Sequence, residues 1–201
     1  MNRRTKMFNR SCYYFLTLML LVVSFSPLVA HAKEDTSFRQ ENRPENLKDF
    51  LESIHQAIYT KKDLKQAAVL YRSLFPDPDR IRKALKDNVS TDVIEKIMSI
   101  QREFGVPNEY NISEVAQADQ TIVKVHGATT EEIALYQKDS IPFYEFPGRT
   151  KQVAERFLRP NMMFYEAEFV KSGAGSGIKY HLFYWDGKRW TMLGPVWRVL
   201  R

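Results

Sequence analysis

The sequence predicts an α+β domain in which N-terminal amphipathic helices pack on a curved, mainly antiparallel sheet that ends in a three-stranded meander. Apolar residues recur at helical spacing across residues 47–104, the patterning then turns strand-like, and the C-terminal stretch 162–193 holds aromatic-rich segments separated by a Gly/Ser loop and an Asp-Gly turn.

Leu47, Phe50, Leu51, Ile54 and Ile58 draw one apolar stripe, and Leu64, Ala67, Ala68, Tyr71, Leu74 and Phe75 draw a second. Pro76-Asp77-Pro78 stops the chain and restarts it, because Asp77 can cap a helix whose first turn tolerates Pro78. A short helix follows through Ile81, Ala84 and Leu85. Ser90 or Thr91 caps a fourth, with Val93, Ile97, Ile100 and Phe104 on one face and Gly105 and Pro107 at its end.

Beyond it, residues 112–117 and 120–125 read as two strands around Ala118-Asp119. Thr129 with Glu132 forms a capping box for a short helix over 130–137. Residues 143–146 read as a strand or a packed loop, and Val153, Ala154, Phe157 and Leu158 as a helix closed by Pro160. Residues 162–171 and 178–185 are strands, and Asp186-Gly187 is a two-residue turn into 188–193.

Ahead of this domain stand Arg3, Arg4, Lys6 and Arg10, then an apolar run over 13–23, then Ala30-His31-Ala32. That order is expected of a signal peptide spanning 1–32, cleaved after Ala32, which sends the protein to the periplasm or outside the cell. The apolar run is too short for a retained membrane span. Cys12, the single cysteine, precedes the run, which argues against a lipoprotein and leaves no disulfide. Residues 33–46 are polar and read as a flexible leader, and 47–201 as one domain.

Cleavage also reshapes the charge. The whole chain carries +6, but the four basic residues named above leave with the leader, so the remaining 26 basic and 24 acidic residues give no global argument for nucleic-acid binding. No cofactor or metal is expected: Gly173-Ala-Gly-Ser-Gly177 is followed by a strand instead of a helix, and His55, His126 and His181 form no ligand cluster. His126-Gly127 is read as a strand end where glycine permits the turn.

The aromatic sheet is where function is expected. A two-residue turn pairs Trp185 with Lys188, Phe183 with Trp190 and His181 with Met192, which puts His181, Phe183, Trp185, Trp190 and Met192 on one face. If the Gly loop closes with Lys171 opposite Ile178, Glu168 faces His181 and Glu166 faces Phe183. A carboxylate beside a histidine in an aromatic setting supplies the groups for general acid–base work, so Glu166, Glu168 and His181 are the catalytic candidates. Tyr180, Phe183, Trp185 and Trp190 are the ligand-binding candidates.

The element order, and above all the stretch EFVKSGAGSGIKYHLFYWDGKRWTMLGPVWRVL, resembles the nuclear transport factor two-like fold. That resemblance implies a cone-shaped architecture that often encloses a pocket and hosts isomerases, dehydratases, hydrolases and non-catalytic domains alike. The sequence reading is therefore an exported binding module for a small molecule, a peptide or an envelope protein, with a homodimer compatible. A small acid–base enzyme is the alternative.

Overall fold

Helix α1 (Pro44–Tyr59) opens the part of the chain that the computed structural model describes, residues 42–200. The expected signal peptide lies outside the described residues. Proline in its first turn starts α1 three residues ahead of the predicted Leu47, inside the stretch read as leader. Then come α2 (Leu64–Ser73), α3 (Pro78–Ala84) and α4 (Thr91–Phe104). Asp77 caps α3 as its spacing requires, its carboxylate accepting from the Arg80 amide at 2.8 Å.

The first predicted strand is absent. Residues 112–114 form a single 3-10 turn instead, and β1 (Ile122–Thr129) is one longer strand. Ile112, Val115 and Ala116 are all buried, so this segment serves as a plug under α1 and α2 and has no strand alternation to offer. Thr129 and Glu132 make the expected reciprocal capping box on α5 (Thr130–Leu135). Residues 143–146 are neither strand nor loop: most of them belong to the short helix α6 (Ile141–Glu145), which Pro142 starts. After α7 (Thr150–Arg156) come β2 (Met163–Val170), β3 (Ile178–Trp185) and β4 (Trp190–Met192).

The four strands form one antiparallel sheet in the order β1-β2-β3-β4. Strands β2 to β4 are the predicted meander, while α5 to α7 fill the connection from β1 to β2. Helices cover both faces. On one, α1 and α2 bury Leu47, Leu51 and Ile54 against Val123, Tyr165, Phe169, Phe183 and Trp190. On the other, α3, α4, α5 and α7 bury Ile81, Ile97, Ile133 and Val153 against Ala128, Phe164, Leu182 and Tyr184.

The last hairpin does not use the predicted turn. Trp185 pairs with Trp190, Tyr184 with Thr191 and Phe183 with Met192, two residues away from the expected register. The cause is Asp186. Its carboxylate accepts from the Lys188 amide at 2.9 Å and the Arg189 amide at 3.0 Å, so the Asp-Gly pair opens a four-residue loop instead of forming the two-residue turn. A slip of two keeps Phe183, Trp185, Trp190 and Met192 on their predicted common face, which is why they still share a core.

Asp186 is itself held by a buried ion pair with Arg80 at 2.7 Å, the two side chains 3% and 5% exposed respectively. The same guanidinium donates to the carbonyls of Ser73, Phe75 and Trp190 and to the Thr191 hydroxyl. Arg80 thus ties the end of α2, the start of α3 and the hairpin into one unit.

Candidate functional site

The site begins with a bulge. Tyr165 pairs with Phe183 and Ala167 with Tyr180, so His181 and Leu182 on β3 together oppose the single residue Glu166 on β2. Leu182 takes φ +55°, a left-handed conformation uncommon for a buried leucine, while its side chain stays fully buried. The Leu182 amide donates to Glu166 Oε1 at 3.2 Å, so a side-chain carboxylate satisfies a donor that the bulge turns out of the ladder.

The register of the Gly loop decides which carboxylate meets the histidine, because the loop closes with Phe169 opposite Ile178, two residues from the expected Lys171. His181 Nδ1 lies 2.5 Å from Glu166 Oε2, whereas Glu168 sits opposite Lys179 and accepts from the Gly177 amide at 2.6 Å. The expected Glu168–His181 and Glu166–Phe183 pairs are therefore both incorrect. The bulge has a separate effect: it puts His181 and Phe183 on opposite faces, where regular alternation would have kept them together. Glu166 is 2% exposed, and burial raises its carboxyl above the ordinary range even though the His181 contact opposes the shift.

Around this pair runs a charged strip. Across β1 and β2, His126 pairs with Glu166 and Lys124 with Glu168. Glu145, from α6, lies 3.1 Å from Lys179 and 3.8 Å from His126 Nε2. His126 is consequently in mid-strand, not at a strand end. The following Gly127 makes room for a neighbour, since a Cβ there would fall 2.7 Å from the Tyr165 ring. Among the described residues no three His, Cys, Asp or Glu side chains converge as metal ligands would.

His181 also lines a cleft of about 420 Å³, between the C-terminal end of α4, the 3-10 turn at Ile112–Glu114 and the segment after β4. Its ring meets Trp197 edge to face with centroids 4.8 Å apart. Tyr180 lines the same cleft and donates its hydroxyl to the Val115 carbonyl at 2.5 Å. Burial pushes that hydroxyl's pKa up to about 12.

The other aromatic candidates are placed differently. Phe183 and Trp190 are each 1% exposed and belong to the core under α1 and α2, with Trp185 half-buried at its margin. None of the three lines the cleft described above.

Several cleft residues lay outside the sequence reading: Gln101, Glu114, Lys179, Trp197 and Arg198. One had a readable signal. Gln101 follows Ile94 by seven and Ile97 by four, a polar residue on an apolar stripe, and it is 9% exposed. The stripe itself is rotated from the predicted one: Ile94, Ile97 and Ile100 are buried, while Phe104 stands 55% exposed at the cleft.

No family model, curated protein or solved structure matches this chain.

Proposed function

We propose that the protein is an exported, non-catalytic binding module that receives its ligand in the cleft beside the C-terminal sheet. The observation that carries this reading is the cleft itself. About 420 Å³ is within the range of small-molecule sites, and its walls are mostly aromatic or aliphatic with a few polar groups among them. Tyr180 and His181 bring the sheet into the site, while Phe183 and Trp190 support it from the core. A small molecule or the side chain of a peptide suits that volume. Export is supported by the basic, apolar and Ala-His-Ala segments of residues 1–32.

Titration of the purified protein with a small-molecule library, followed by NMR, tests the binding reading. Ligands should shift the Trp197 indole and His181 signals, and ligands that shift only other regions would contradict it. Mass analysis of the exported protein tests the address, which requires a chain starting at Lys33.

One observation favours a second reading, a small acid–base enzyme. The Glu166 carboxyl holds one ring nitrogen of His181 at 2.5 Å, and the same ring lines the cleft. On that reading Glu166 orients the ring, and Nε2 exchanges a proton with the bound molecule. Turnover lost in His181→Ala with ligand binding retained would favour this reading over the first.

A further inference from the structure

We infer that the ligand of this cleft is a carboxylate attached to an aromatic or aliphatic body. The inference rests on the binding reading above and adds the chemical class of the ligand.

Unmatched hydrogen-bonding groups in the lining point to the class of ligand. Gln101 lines the cleft, and its side-chain amide nitrogen is buried without a hydrogen-bond partner. A buried amide left unpaired is costly, and such groups in folded proteins ordinarily find an acceptor. Arg198 lines the cleft too. It is exposed, its guanidinium lies 5.1 Å from the centroid of the Phe104 ring, and no carboxylate among the described residues pairs with it.

Acceptors are scarcer on these walls. Asn111 Oδ1 already accepts from the Asn108 amide at 2.8 Å. Lys179 has its own carboxylate, Glu145. Glu114 is the single acidic residue of the lining, and it stands exposed on the 3-10 turn, while Arg198 belongs to the segment after β4. The lining therefore offers an amide N–H and a guanidinium without matching acceptors, and a ligand supplying two acceptor oxygens and one negative charge completes them.

The body of the ligand follows from the remaining walls. Ile100, Phe104, Val115, Met192 and Trp197 present apolar surface to the cleft. Phe104 is informative because an amphipathic helix would ordinarily turn it inward. It is 55% exposed, at the rim and under Arg198, where a ring can cover an apolar ligand while the cation above it meets the acid.

A matched series of probes tests this directly: phenylbutyrate, phenylbutanol and phenylbutylamine, each titrated into the purified protein with NMR detection of the Trp197 indole and the Gln101 side-chain amide. Phenylbutyrate should bind about tenfold more tightly than the alcohol, as a charge-assisted contact to an arginine predicts, and the amine should bind most weakly. Arg198→Gln, a change at an exposed residue, should bring phenylbutyrate down to the affinity of the alcohol without altering the alcohol's own. Glu114→Gln should strengthen phenylbutyrate. If the alcohol or the amine shifts Trp197 at equal or higher affinity, the cleft reading stands and the carboxylate inference is overturned. If no member of the series shifts either signal, the cleft reading and the inference both fail.

Discussion

Glu166 and His181 meet at 2.5 Å at the point where β3 carries one residue more than β2. The same carboxylate holds the Leu182 amide, so it secures both the extra residue and the ring that the extra residue displaces. Glu166→Ala should therefore destabilise the fold by about 1–3 kcal/mol, the penalty for leaving a buried donor unpaired, and chemical denaturation measures it. An unchanged stability would mean that the bulge holds without its carboxylate.

The pH dependence of that contact has a definite sign. Burial raises the Glu166 carboxyl, so the native state keeps this proton to a higher pH than the unfolded chain does. The associated stability is complete below the ordinary carboxylate range and is lost as pH rises through the raised native value. Glu166→Gln should flatten the decline of stability across that window. Denaturant midpoints at a series of pH values check it, and an equally steep decline in the variant would contradict it.

Asp186 behaves in the opposite sense. Burial pushes its carboxyl up, but the Arg189 and Lys188 amides and the Arg80 guanidinium outweigh burial and leave it below the ordinary aspartate range. Its contribution is present above that range and is lost as pH falls through the lowered native value. Asp186→Ala strands a buried guanidinium and should destabilise by about 3–5 kcal/mol at neutral pH. Thermal unfolding reads the effect. The double change Arg80→Met with Asp186→Ala should cost less than the sum of the two single changes.

Gly177 is required for contact rather than for turn freedom. A Cβ there would lie 1.9 Å from the Phe169 carbonyl oxygen, which is backbone and cannot swing away. Gly177→Ala should displace the loop, break the 2.6 Å bond from the Gly177 amide to Glu168 and destabilise by about 1–3 kcal/mol. Gly175, with nothing near its added Cβ, should accept alanine with little change, and equal effects at the two positions would refute this account.

Much of the fold was legible because its signals are local. The capping box at Thr129, the Asp77-Pro78 restart and the strand limits over 178–185 depend on neighbours in sequence, and all three hold. The site was legible only in its residue types. Whether Glu166 or Glu168 meets His181 depends on where the Gly loop closes, with Phe169 opposite Ile178 and not Lys171, and a slip of two leaves a period-two pattern unchanged. The hairpin register failed for a related reason: Asp186 is set by Arg80, 106 positions away in the chain, and no local turn rule contains that partner. The cleft was invisible because its walls come from α2, α4, a 3-10 turn, β3 and the segment after β4, which only the tertiary fold brings together.

The proposed function depends above all on the claim that the cleft is where this protein meets its ligand. NMR of the purified protein against an unbiased fragment library tests that claim most directly. It predicts that bound fragments shift the Trp197 indole and the His181 ring together, and that Gln101→Leu alters their affinities. Fragments that bind only elsewhere, with both signals unmoved, would contradict it.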